Sequence, residues 1–343
     1  MLARFVLCLL TLLLAIPAAG AASFECGKAS TAFERAICAF PELSRQDEIL
    51  AKSYATALGG LSEQAATVVR KGQRKWLAFA ERACTDDAQP LRGDYSADEL
   101  GCLEQIFNNR IRALEGSRMR SGRRFYQVDR HAVLPDPDAT EESWSKVATK
   151  ELSTPRIDGV DVEAIAFNAM MDKFTAELGY FAGPSDVEIE SSVDAATDKQ
   201  ITATVEAVTS RRISLSVNDW WYGHGAAHGN YTITYLHFLT RERRPLVASD
   251  IFAGEDWKKP LRELVLAELN RTIEGGIWPE SVEYVGEAAA DPRNWNFSED
   301  GLVVQFQPYD VTAYAYGAPT ATISWEALGQ YMADDGSRIA SDP

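Results

Sequence analysis

The chain has 343 residues, 46% hydrophobic and 10% aromatic, which is enough apolar side chain for two cores. Its formal net charge of −16 excludes the basic footprint of a nucleic-acid binder. The acidity is uneven: Asp and Glu outnumber Lys and Arg by more than two to one in residues 151–343 but nearly balance them in residues 23–116, and an acidic surface speeds encounter with basic partners.

Arg4, the apolar run Phe5–Ile16, Pro17 and the small residues Ala19–Ala22 have the three-part pattern of a secretory signal peptide over residues 1–22. That run is short for a bilayer span, and no later stretch is apolar enough, so a soluble periplasmic or secreted protein without a membrane span is expected. Cys8 lies inside the run and Cys26 follows Ser-Phe-Glu, which argues against lipid attachment.

Residues 23–116 predict a small helical domain. Thr31 with Glu34, and Ser96 with Glu99, have capping-box spacing, and Ser44 is placed to cap the helix after a Pro-containing turn. Ile49, Leu50, Tyr54 and Leu58 fall on one face. So do Val69, Gly72, Trp76, Phe79 and Ala83, and then Leu100, Leu103, Phe107, Ile111 and Leu114. Stripes of this kind bury a shared core, and Trp76 fits that core better than a ligand site. The four remaining cysteines allow three pairings. In an exported chain disulfides are the default, and the local pairs Cys26–Cys38 and Cys84–Cys102 are favoured because the chain reaches them first. A zinc site competes, but no Cys-x-x-Cys pair is present.

Cys26 through Cys38, then Pro41-Glu42-Leu43-Ser44 and Asp47-Glu48, then Gln73-Arg74-Lys75-Trp76-Leu77, Arg82-Ala83-Cys84 and Gly101-Cys102-Leu103 through Arg110-Ile111 resemble the LprI-type lysozyme-inhibitor domain over nearly all of 23–115. The resemblance implies a small disulfide-bonded helical fold and, for the named member, inhibition of lysozyme.

Residues 117–150 lack sustained periodicity, carry the basic cluster Arg118, Arg120, Arg123 and Arg124, and contain Pro135-Asp136-Pro137-Asp138, which enforces extended chain. They are expected to be a linker. Residues 151–335 then predict an α+β domain with an antiparallel sheet. An amphipathic helix runs through Val162, Ile165, Ala166, Ala169, Met170 and Phe174. Two-residue periods follow at Ile201–Ala207, Ile213–Val217 and Tyr231–Leu239. Helical spacing returns at Trp257–Leu269, and later strands lie at 302–306 and 320–325. The predicted fold class is therefore multidomain, a small disulfide-bonded all-α domain followed by this α+β domain.

Pro155-Arg156-Ile157 with Ala166-Phe167-Asn168, the Tyr222–Gly229 turn, Asp250-Ile251-Phe252, Asn296-Phe297, Gly301-Leu302-Val303 and Phe306–Gly317 resemble the PdaC/RsiV-like extracellular region. The resemblance implies lysozyme binding, as in the RsiV anti-sigma factor. Here no membrane span or sigma-binding segment accompanies it, and no separate deacetylase domain is found.

His224 and His228 stand four apart, with His237 as a conceivable third ligand, but glycines surround the pair and the His-Glu-x-x-His pattern is absent. Ordinary turn or core histidines fit better, and no cofactor, metal or catalytic residue is assigned. A nucleophile elbow and a phosphate-binding loop are also missing, so a non-enzymatic binder is expected. Its partner would be lysozyme or another basic cell-wall hydrolase, with peptidoglycan as a further ligand. A peptidoglycan-modifying hydrolase and a glycan-binding envelope protein are the alternatives. The expected contact residues are Pro308, Tyr309, Tyr314 and Tyr316, since tyrosines supply large contact area at low entropic cost, together with Trp221, Tyr222 and His228.

Overall fold

The computed structural model describes residues 22–178 and 195–341. The expected export signal lies, apart from Ala22, outside the described residues. Four helices open the fold: α1 (Ala32–Ala39), α2 (Pro41–Leu58), α3 (Glu63–Ala83) and α4 (Ala97–Glu115). Both capping boxes form, Thr31 with Glu34 and Ser96 with Glu99. Ser44 does not cap. Pro41 has its φ preset for the first helical position and starts α2 three residues earlier, which leaves Ser44 buried inside the helix. Disulfides Cys26–Cys38 and Cys84–Cys102 close the first segment on itself and link the end of α3 to α4. The Trp76 and Leu103 stripes meet in one core, with Trp76 edge-on to Phe107 at 5.2 Å.

Residues 117–150, expected as a linker, are instead largely strand. They form β1 (Met119–Arg120), β2 (Arg123–Pro135) and the start of β3 (Val147–Ile157). The polar residues that hid the strand period, Asp129 and His131, are buried by charge pairing and ring packing instead of by apolar contact. Four further strands complete the sheet: β4 (Thr197–Val208), β5 (Arg212–Gly223), β6 (Asn230–Leu239) and β7 (Arg244–Pro245). The order β1-β2-β3-β4-β5-β6-β7 is sequential. The sheet is mixed where an antiparallel one was expected, because β3 and β4 run parallel. Helix α5 (Val162–Glu177) lies between them and supplies the crossover that a parallel pair needs. It covers one sheet face through Phe167 and Met171, against Ile201, Leu215 and Phe238.

A third core joins α6 (Lys258–Thr272) and α7 (Val282–Ala290) to a separate antiparallel sheet of β8 (Trp295–Phe297), β9 (Gly301–Gln305) and β10 (Thr320–Ser324). Among the described residues, no helix is long and apolar enough to cross a membrane.

Candidate binding surface

Directly paired residues in a sheet point to the same face. The register His131–Glu151–Gln200–Trp220–Tyr231 therefore forms one row across β2 to β6. At one end of the row α3 and α4 cover the sheet. Phe79 packs on His131 at 5.1 Å, and Arg110 pairs with Asp129 at 2.5 Å with both side chains almost fully buried. Past the other end, the β8–β10 layer covers β6, where His237 Nε2 meets the Trp295 carbonyl at 2.8 Å. Between the two covers the sheet face is open.

On the C-terminal side of this opening lies an exposed aromatic patch. Gln307 pins the chain between β9 and β10 to β6, accepting from Ile233 N at 2.7 Å and donating to Ile233 O at 2.8 Å. Tyr314 Oη then donates to Gly229 O at 2.8 Å, which brings the chain onto the β5–β6 turn. His228 stacks on Tyr314 with ring centroids 4.2 Å apart, and Tyr309 packs 5.3 Å from Tyr314 with its hydroxyl 3.4 Å from His228 Nε2. Tyr309 is 48% exposed and adopts φ 71°, a left-handed conformation that costs a non-glycine residue about 1–3 kcal/mol and clusters at ligand-contacting sites. Gly229 lets the Trp220 ring lie close against the turn, since a Cβ there would stand 2.9 Å from Trp220 Nε1 and push the indole aside.

The structure thus gathers Tyr309, Tyr314 and His228. Tyr316 is exposed nearby, with its hydroxyl bonded to Glu274 O at 3.2 Å. Pro308 is buried and shapes the turn instead of presenting a surface. Tyr222 bonds within its own turn, to Ala226 O at 3.2 Å. Trp221 alternates to the other face, where Lys199 Nζ lies 5.7 Å above its ring; its neighbour Trp220 is the one that meets the patch. His237 does not converge with His224 and His228. It is buried between Ser214 and Trp295, and burial pushes its ring down to about 3. Among the described residues no group of three or more His, Cys, Asp or Glu side chains is placed to hold a metal ion.

On the helical side the opening deepens into a groove of about 960 Å³ between α4 and β3–β5, a volume in the range of ligand sites. Glu151 sits at its floor with 14% of its side chain accessible, 3.9 Å from His131 Nε2. Burial pushes its carboxyl up to about 7, against hydrogen bonding from Asn109 and the charge of Arg110, and the nearby Asp129 and Asp198 add to the rise. Trp144 stands at the rim, 86% exposed. Neither Glu151 nor Trp144 is distinguished by local sequence pattern. Only strand register and the loop after β2 bring them to one place.

Two known families match the chain. The family described as lysozyme inhibitor LprI matches residues 25–114, the same helical segment that carries the cysteine and tryptophan motifs. A protein family of unknown function, DUF3298, matches residues 249–326. No curated protein matches the chain. Among solved structures, a DUF3298 family member from Bacteroides fragilis NCTC 9343 is 19% identical, with a TM-score of 0.48 over 64% of this chain and 96% of that one. A DUF3298 family protein from Pseudomonas aeruginosa PAO1 is 13% identical, with a TM-score of 0.43 over 62% and 94%.

Proposed function

We propose that this chain, whose residues 25–114 match the lysozyme-inhibitor family, is an exported, non-catalytic protein that binds lysozyme or a related basic cell-wall hydrolase in the periplasm or outside the cell. The family match is the observation that carries the reading. Two disulfides agree with an oxidising compartment, and the excess of acidic residues in 151–343 suits a basic partner. The contact residues proposed are Tyr309, Tyr314 and His228 with Tyr316 beside them, since exposed, pre-positioned tyrosines lose little entropy on binding.

Titration calorimetry of the full chain against a c-type lysozyme, with cytochrome c as an equally basic control, tests this. Lysozyme should bind more tightly than cytochrome c, and Tyr309→Ala with Tyr314→Ala should weaken binding by more than about 1 kcal/mol without loss of fold by circular dichroism. Equal affinity for both basic proteins, unaffected by the tyrosine changes, overturns the reading. Release of soluble fragments from peptidoglycan by the purified chain would move it to the hydrolases.

A further inference from the structure

We propose that the groove between α4 and the middle of the large sheet is a docking site for an extended basic polypeptide segment, seating arginine or lysine side chains against Trp144 and Trp220 and onto Glu151 and Asp198. The inference stands on the groove itself and holds whether or not lysozyme is the partner.

Charge gives the first argument. Six carboxylate side chains and two lysines line the groove. Both lysines are already engaged, Lys146 with Asp86 at 2.8 Å and Lys199 with Asp219 at 3.0 Å. The remaining field is negative, and a concave wall concentrates it.

An unsatisfied carboxylate oxygen gives the second. Asp198 Oδ1 is taken by the Thr149 amide at 2.7 Å and its hydroxyl at 2.9 Å. Asp198 Oδ2 faces His224 Nε2 across 3.6 Å. The Asp136 carboxylate lies 2.6 Å from His224 Nδ1 on the other side of the ring. The His224 side chain is 8% exposed and lies enclosed between the two carboxylates. At 3.6 Å the Asp198–His224 contact is too long for a hydrogen bond, so Asp198 Oδ2, part of the groove lining, keeps acceptor capacity. A guanidinium or ammonium, all donor and no acceptor, is the group that satisfies it.

Aromatic surface gives the third. A tryptophan 86% exposed on a polar loop is unusual for a free surface, and tryptophan faces attract arginine and lysine cations. Trp220, in the same register row as Glu151, continues the groove to Gly229 and the Tyr314 patch. A neutral saccharide would stack on the same rings and donate hydroxyls to the carboxylates, but it would not neutralise their charge.

The test uses fluorescein-labelled octa-arginine and the full chain at physiological ionic strength, read by anisotropy. Trp144→Ala and Asp198→Asn should each weaken binding about tenfold, whereas Glu299→Gln, a carboxylate lost far from the groove, should change it less than about twofold. Trp144 touches no core, so its variant reports on the groove and not on folding. If Trp144→Ala and Asp198→Asn behave like Glu299→Gln, attraction is mere net charge and the proposal fails. It fails equally if chitotetraose displaces octa-arginine, which would make the groove a saccharide site. The Tyr309 and Tyr314 variants should still take octa-arginine, so this site and the lysozyme reading fail separately.

Discussion

Replacing Asp129 by alanine should be among the most damaging single changes in the molecule. Arg110 and Asp129 form an ion pair with side chains only 1% and 4% exposed. The guanidinium also donates to Gln73 at 3.0 Å, while its Nη2 has no hydrogen-bond partner among the described residues. Burial raises the Asp129 carboxyl, but the charges of Arg110 and His131 and the hydrogen bonds from Arg110 and Ser153 outweigh it and hold the group below its ordinary value. Removing the carboxylate strands a buried cation at the junction of α4 and β2, at a cost of about 3–5 kcal/mol. At roughly 2–4 °C per kcal/mol, this lowers the melting temperature by about 6–20 °C. Guanidinium chloride unfolding, followed by tryptophan fluorescence and far-ultraviolet circular dichroism, measures it. The pair Arg110→Met with Asp129→Leu removes both charges and should recover most of the loss. A loss under about 1 kcal/mol, or a double variant no better than the single, would refute the argument that a desolvated charge decides the outcome.

Three further outcomes are expected. Glu151 is raised to about 7 from 4.5, so the folded state holds a proton that the unfolded chain releases above pH 4.5; its contribution to stability falls as pH rises from 4.5 to 7, by about 3 kcal/mol in all. His237, lowered to about 3 from 6.5, works oppositely, losing stability as pH falls from 6.5 toward 3. Unfolding free energies against pH should show the two nearly cancelling between 4.5 and 6.5, and Glu151→Gln should flatten the profile near 7; identical profiles for variant and wild type would remove Glu151 from the account. Reduction should cost roughly 3 kcal/mol for each disulfide, which close loops with sequence separations of 12 and 18, and peptide mapping without reductant should recover those two pairs and no crossed ones. A chain beginning at residue 117 should retain the large sheet, whereas one beginning at 151 loses β1, β2 and the start of β3 and should show a diminished, non-cooperative transition on heating.

The sequence by itself determined the helical region, because each of its signals is local. A capping box is a contact between residues three apart, the Val69–Ala83 and Leu100–Leu114 stripes follow one helical period, and the disulfides join cysteines close along the chain. The β5 and β6 periods and the tyrosine-rich segment were legible for the same reason. Strand β2 was not, since a half-polar strand that pairs Asp129 with Arg110 and sets His131 under Phe79 has no alternation of hydrophobicity to read. The face taken by Trp220 and not by Trp221, the burial of Pro308, and the meeting of Glu151, Asp198 and Trp144 in one groove were decided by tertiary structure alone. Strand register places Trp220, Glu151 and Asp198, since shifting a strand by one residue sends every side chain to the opposite face, and the loops after β2 and β9 place Trp144 and Pro308.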